Sequence, residues 1–367
     1  MDQILRDMTR PNNTQSPWPR PWSEKTDSPK LAVVISCYNY ESFVERAIQS
    51  VLKQAPHDCE IVVVDDGSTD GSWDVINRSG VTAFRIDNSG ARLACLYGLD
   101  RTQAPFVLFL DADDELKPGA LGTIIDRLDP GVAKLQFPLT RIDADGNVIS
   151  GALPALEAFR GRDDLARHVL KRGVYKSPPT SGNVFRRDLC EFLREANYDK
   201  FVDGVIVFAA PFLGDVVSVS EELGCYRIHG RNDSGLGRTP DADSLERDIN
   251  RFLARMEHLR AIIRRLEPDQ ELVDARKTFY FREHKFCLDI ASGQRPRLIA
   301  LPGLLAKLVG GPFSVKNKVA MAIFFSVGTV LPNHGGKALL AYRLKTGHRS
   351  ALGFAKELVG WRVPVQN

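Results

Sequence analysis

Three uninterrupted apolar runs dominate the first third of the chain: "LAVVIS" (Leu31–Ser36), "EIVVVD" (Glu60–Asp65) and "FVLFLD" (Phe106–Asp111). Each is rich in β-branched or large aliphatic residues and shows no polar alternation. That pattern predicts strands buried on both faces, as in a parallel sheet. Between the first two runs, Phe43, Ala47, Ile48, Val51 and Leu52 recur at helical spacing, and Ser42 and Glu45 have the S-x-x-E spacing of a capping box. A second helix is predicted from Trp73, a short strand at "TAFRID", and a loop and helix at "NSGARLACLYGLD". Strand and helix alternate, which predicts an open α/β sheet with right-handed crossovers and a ligand crevice beyond the carboxyl ends of its strands.

From about Ala133 the alternation loosens. "KLQFPLTRIDADGNVIS" reads as two strands around an Asp145-Gly146 turn. "KSPPTSGNVFRRDLCEFL" reads as a proline-rich loop, a strand and a helix, and "VDGVIVFAAPFLG" as a helix with a glycine stop. Beyond Asp241 lies a long amphipathic helix, "DSLERDINRFLARMEHLRAIIRRL", with another expected from about Glu271. The expected organisation is a polar, proline-rich leader over 1–29, without a signal peptide and expected to be disordered. A catalytic α/β domain follows over 30–240, then an amphipathic helical region over 241–290 and a basic, partly apolar region over 291–367.

Charge sharpens the last boundary. The whole chain carries only +3, but Ala291–Asn367 holds eleven Lys or Arg against one acid, Glu357. The body is therefore acidic and the tail basic, which points to an anionic partner for the tail. The run "VAMAIFFSVGTVLP" within it is shorter than the ~20 residues of a spanning helix and is flanked by Lys316, Lys318 and Lys337. One reading places it at an anionic membrane surface, apolar residues in the headgroup layer and lysines on lipid phosphates. The other buries it against the catalytic domain. Paired with apolar runs and few aromatics, the charge suits lipid better than nucleic acid. The six cysteines form no C-x-x-C pair and read as small buried hydrophobes in a reducing compartment.

Two strand ends carry the candidate chemistry. In "VVVDDGSTDGS", Asp65 and Asp66 meet a Gly-Ser-Thr turn. An ionised carboxylate there can accept from a base N–H or a ribose hydroxyl; alternatively it forms an Asx turn that caps the next helix. In "FVLFLDADD", Asp111, Asp113 and Asp114 crowd like charges together, which is unfavourable unless a cation sits among them. D-x-D at a strand end offers oxygen ligands to Mg²⁺ or Mn²⁺ and leaves positions open for phosphates. The alternative is a helix start capped by Asp113 or Asp114.

Taken in order, "VVISCYNYESFVERAIQSVLKQ", "EIVVVDDGSTDGS", "DNSG", "FVLFLDADD", "PPTSGNVFRR" and "YRIHGRNDSG" resemble glycosyltransferase family 2, over roughly Lys30 to Gly237. The resemblance implies a GT-A, Rossmann-like mixed sheet flanked by helices, to which this chain adds a C-terminal helical basic extension. It implies an inverting transfer of sugar from a nucleotide-diphosphate donor, UDP-linked by expectation, to a hydroxyl of a glycan or lipid-linked glycan in surface polysaccharide biosynthesis. Carried over residue by residue, it assigns the nucleotide sugar to Ser36, Tyr38, Asp65, Asp66, Ser68, Asn88 and Gly90, and the metal that bridges the diphosphate to Asp111 and Asp113. Two departures stand out. The helix after the N-x-G turn reads "ACLYG" in place of the Arg-Asn pair often found there, which leaves Arg92 as the substitute. The usual Glu-Asp base dipeptide is Val202-Asp203, so Asp203 is the expected base, with Asp199 behind it. Inversion requires such a carboxylate to take the acceptor's proton; the alternative for Asp203 is a helix cap. In "CYRIHG", Arg227 and His229 would share a face if extended, giving a donor-phosphate contact and, by resemblance to some relatives, a third metal ligand; the alternative for His229 is a satisfied structural residue. The expected location is the cytoplasmic face of a membrane, peripherally bound. A nucleotidyltransferase would open with a glycine-rich loop and a basic residue where this chain has "SCYNYESF"; a catalytically impaired scaffold would explain the two departures.

Overall fold

A computed structural model of the protein describes residues 28–54, 58–230, 232 and 241–344; the expected leader, the 240 boundary and the last residues of the basic tail lie outside these. The described chain forms two compact units, one running to Ala166 and resuming over Lys176–Arg227, the other made of Arg167–Tyr175 and the residues from Ile228 onward. In the first unit the elements β1 (Leu31–Cys37), α1 (Val44–Leu52), β2 (Cys59–Asp65), α2 (Ser72–Arg78), β3 (Thr82–Arg85), α3 (Ala91–Leu99) and β4 (Phe106–Asp111) alternate as the apolar pattern requires. The strands lie in the order β3-β2-β1-β4, all parallel. Leu31 through Ile35 of β1 have no exposed surface, which is why that run shows no polar alternation. α3 packs close on the sheet because Gly98 has no side chain: a Cβ there would come within 2.4 Å of Val34 Cγ1.

The unit continues through β5 (Glu115–Leu116), α4 (Ala120–Ile125), β6 (Val132–Gln136), β7 (Leu139–Ile142), β8 (Val148–Leu153) and β9 (Phe159–Gly161). After α5 (Asp163–Arg172), at the boundary between units, come β10 (Asn183–Arg186), α6 (Arg187–Cys190), α7 (Val205–Leu213), β11 (Asp215–Ser218) and β12 (Gly224–Arg227). β10 joins the large sheet antiparallel to both β4 and β6, and β11 and β9 complete it. A four-stranded sheet, β5-β12-β7-β8, takes up the hairpin predicted around Asp145-Gly146. α7 is buried from Val205 to Phe212, so it is apolar on every side. The expected capping box does not form: α1 begins at Val44 with Phe43 in the cap position and no side-chain cap, while the amides of Phe43 and Val44 bond the Tyr40 carbonyl. All six cysteines are free thiols.

In the second unit α8 (Ala242–Leu266) is capped by Asp241, whose carboxylate accepts from the Ser244 amide. The next helix, α9 (Phe279–Ala291), starts eight residues later than its sequence expectation, where Thr278 caps it through the Phe281 amide. α10 (Leu301–Val309), α11 (Val315–Val330) and α12 (Asn333–Leu344) follow. Phe286, Ile290, Leu304, Leu308, Phe325 and Leu340 lie in their shared core. No helix among the described residues is long and apolar enough to cross a membrane.

Candidate active site

The register of the parallel strands brings the two acidic motifs together. Cys37 at the end of β1 is paired with Asp65 on one side, and Ser36 with Asp111 on the other. The two carboxylates thus flank one strand at the carboxyl edge of the sheet, where open α/β folds bind ligands. Ser36 is half-buried and Tyr38 is 44% exposed, so the β1 turn presents its tyrosine outward.

The Asp65–Ser68 turn is held by the chain around it. Asp65 has no exposed surface; its Oδ2 accepts from the Ser68 amide at 3.2 Å and lies 3.1 Å from Arg85 Nε, while its Oδ1 has no hydrogen-bond partner. Asp66 accepts the amides of Ser89 and Gly90, each at 2.8 Å, so it shapes the "NSG" loop from beneath. Burial pushes the Asp66 carboxyl above its ordinary value, against the pull of those two amides. Gly67 makes the turn possible: its φ is +73°, and a Cβ would meet the Asn88 nitrogen at 2.8 Å. Asn88 is exposed and Gly90 half-buried at the tip of this loop. Asn39, unremarked in the sequence, locks the β1 turn to the Asp65 turn. In a left-handed conformation (φ 59°), it gives its amide to Ser68 Oγ at 2.9 Å and accepts the Thr69 amide at 2.8 Å. Its readable signal was that Asn tolerates this backbone region better than most residues.

At the end of β4 the three aspartates divide their roles. Asp111 is half-buried and gives its amide to Ser181 Oγ at 3.2 Å. Asp113 and Asp114 are almost wholly buried. Neither caps a helix, because α4 begins only at Ala120 behind Gly119. Asp114 accepts the Arg227 amide at 2.9 Å, and its other oxygen lacks a hydrogen-bond partner. Burial, then repulsion from Asp113 and Asp111, holds its carboxyl well above the ordinary value. The expected donor-phosphate contact from Arg227 is replaced by a structural one. Its side chain has no exposed surface, and its nitrogens donate to the Asp113 carbonyl (2.8 Å), the Asp143 and Ala144 carbonyls (3.0 and 3.1 Å) and the Glu115 carboxylate. Arg227 thereby braces the Asp113–Glu115 segment from within.

Two other expected residues sit around the loop before α7. Arg92 gives Nε to the Asp199 carbonyl and Nη1 to the Leu193 carbonyl, both at 2.9 Å, tying α3 to that loop. Ser89, Arg92 and Asn197–Lys200 line a pocket of about 370 Å³ there. Asp199 is buried and accepts the Phe201 amide, which closes the turn. Asp203 is half-buried; Gly204 takes the cap position of α7, so Asp203 stands one residue outside the helix. Lys134, absent from the sequence reading, is wholly buried on β6 with Nζ on Gln136 Oε1 and Ser177 Oγ, at 2.9 and 2.8 Å. Burial holds its ammonium well below the usual value, partly offset by the negative charge of Asp203. His229 lies past the end of β12, in the second unit, with its amide 2.5 Å from Asn232 Oδ1.

The site fits a divalent ion in part. Asp111 and Asp113 supply hard carboxylate oxygens, and their repulsion of Asp114 marks a local excess of negative charge. Among the described residues no three His, Cys, Asp or Glu side chains converge to hold an ion by themselves. The protein side thus resembles the incomplete ligand sets that substrate phosphates complete.

A mixed sheet flanked by helices, with paired acids at its carboxyl edge, is the GT-A fold. The structure shares it with the 1–349 fragment of TarS from Staphylococcus aureus, crystallised with UDP-GlcNAc (TM-score 0.50, 14% identity, 86% of this chain and 91% of that one). Residues 32–181 match glycosyl transferase family 2, so this stretch of the chain is a domain of that family. It is 36% identical over 215 residues to an uncharacterised glycosyltransferase of Nostoc sp., covering 56% of this chain and 66% of the relative. It is 35% identical over 127 residues to the GalNAc(5)-diNAcBac-PP-undecaprenol beta-1,3-glucosyltransferase of Campylobacter jejuni, covering 33% of this chain and 41% of the relative. The matches thus span less than two thirds of these relatives' length.

Proposed function

We propose that the protein is an inverting glycosyltransferase that moves a sugar from a UDP-linked donor to a hydroxyl of a glycan or lipid-linked glycan in surface polysaccharide assembly. The observation that carries this reading is the buried Asp65 Oδ1, an acceptor without a partner in register with the Asp111 strand end. An unpaired buried acceptor costs ~1–3 kcal/mol, and a base N–H would satisfy it. Asp65 has no exposed surface, so admitting a base there requires the side chains around it to move. The names of the Nostoc and Campylobacter relatives, and the UDP-GlcNAc bound to TarS, support the same reaction class.

In this reading Asn39, Asp66 and Gly67 fix the turn that holds the nucleotide, with Ser36, Tyr38, Ser68, Asn88 and Gly90 around it. Asp111 and Asp113 would hold Mn²⁺ or Mg²⁺, and the ion would offset the charge of the departing diphosphate. Arg227 keeps Asp113 in place. Asp203 takes the proton from the acceptor hydroxyl as the oxygen attacks the anomeric carbon. The basic C-terminal region would bind an anionic membrane surface on the cytoplasmic side, near a lipid-linked acceptor. The test is a thermal-shift titration of UDP-sugars with and without Mn²⁺, since a ligand that binds the native state raises its melting temperature. A shift that needs both components and disappears in Asp111→Asn is expected. No shift with any sugar nucleotide would overturn the reading.

A further inference from the structure

The second unit exposes an apolar surface of unusual concentration. Among the described residues, seven of the twelve exposed large hydrophobics fall between Leu298 and Val330. Four of them, Val315, Val319, Ile323 and Val330, lie on α11 and are 54–78% exposed. At about 100° per residue they occupy roughly 80° of arc, a single stripe along the helix. The opposite side of the same helix is committed to the core through Phe324, Phe325 and Gly328. α11 is therefore apolar on two faces, and only one has a partner within its unit. Leu298 and Ile299, just before α10, are 67% and 89% exposed.

The charge around this stripe selects its occupant. No Asp or Glu occurs from Ser292 to Leu344, whereas Arg295, Arg297, Lys307, Lys316, Lys318 and Lys337 do. Lys316 is exposed at the edge of the stripe, and Lys318 ties α11 to the end of α10 through the Val309 carbonyl at 2.7 Å. A second copy of this face would bring lysine against lysine. An anionic bilayer offers hydrocarbon for the stripe and phosphates for the lysines at once. At ~1.5 Å per residue α11 is too short to span but suited to lie in the interface plane. We propose that the Val315–Val330 stripe is the insertion face by which the protein lies on anionic membranes. This deepens the reading of the basic region as membrane-facing and is independent of the donor chemistry.

The test is cosedimentation of the full chain with vesicles of phosphatidylcholine alone and of phosphatidylcholine mixed with phosphatidylglycerol. Binding to the mixed vesicles only, weakened by salt, is expected. Val319→Asp with Ile323→Asp should lower that binding about tenfold or more. The milder Val319→Ser with Ile323→Ser should lower it less, with the UDP-sugar thermal shift unchanged in both. Wild-type protein that ignores anionic vesicles would overturn the membrane reading as a whole. Wild-type protein that binds them while both double variants bind equally well would overturn the stripe alone. So would a wild-type dimer that the aspartate pair converts to monomer without change in vesicle binding, because the stripe would then face a second copy.

Discussion

Arg227→Met separates two roles for an arginine set among acids. If the guanidinium braces the Asp113–Glu115 segment, its loss falls first on stability; if it met the donor diphosphate, the loss would fall on affinity. Met fills much of the same length and keeps the stem's packing near Phe43, whose ring centre lies 5.2 Å from the guanidinium carbon. It abandons the Asp113, Asp143 and Ala144 carbonyls and the Glu115 carboxylate. Breaking a buried ion pair by removing one partner costs ~3–5 kcal/mol. Glu115 is 29% exposed, and the Asp143–Ala144 turn reaches solvent, so water re-solvates those acceptors. The Asp113 carbonyl, on a residue only 7% exposed, is the group left most poorly satisfied. The cost therefore sits near the lower end, about 3 kcal/mol, or roughly 6–12 °C in melting temperature for a domain of this size. Thermal and urea unfolding would measure it, with Arg227→Lys as the reference that keeps charge but loses the fork geometry. The Mn²⁺ needed for half-maximal donor binding should rise as Asp113 loosens, while saturating Mn²⁺ restores binding. Unfolding unchanged within about 0.5 kcal/mol, together with a loss of donor affinity that no Mn²⁺ repairs, would refute the bracing role.

Asp203→Asn should leave the UDP-sugar thermal shift near wild type but lower turnover by about 10²–10⁴-fold; turnover within a few-fold of wild type would move the base elsewhere. Gly67→Ala should cost at least ~1–2 kcal/mol from its left-handed backbone, more if the Asn88 backbone resists displacement, and should weaken donor binding. Unaltered donor binding in calorimetry would show that the turn does not shape the site. Arg160 clasps Asp129 and Asp215 at the sheet edge, and its hydrogen bonds hold the Asp129 carboxyl below the ordinary 3.8. A depressed carboxyl lends stability above that value and loses it as pH falls through the lower folded value. Arg160→Met should thus be less stable by about 0.5–1 kcal/mol at neutral pH, since both side chains are nearly half exposed. In urea unfolding the gap should close in acid; a gap independent of pH would mean the arginine acts through packing.

What the sequence disclosed and what it hid divide along a physical line. β1, β2 and β4 were legible because burial on both faces forces an unbroken apolar run, and the acids that end those runs mark the edge of the sheet. α7 was legible for the same reason, as a helix without a polar side. The capping box failed because spacing alone cannot show that the Tyr40 carbonyl takes the amides of Phe43 and Val44. The bracing contacts of Arg227 are hidden from the sequence for a related reason. Alternation fixes which way a strand residue points only within its own sheet, and its partners at Asp113 and Glu115 lie 114 and 112 positions away. Lys134 is hidden because one lysine in "VAKLQ" looks like the solvent face of an ordinary strand, yet its Nζ is buried on Gln136 Oε1 and Ser177 Oγ. In each case the residue type announced that a charge needed a partner, and only the register of distant strands decided whether the chain or a ligand supplies it. Asp65 bears both features at once: one oxygen is matched by Ser68 and Arg85, and the other has no hydrogen-bond partner among the described residues. That asymmetry, rather than the motif's spelling, is the strongest physical argument for the nucleotide site proposed at this edge of the sheet.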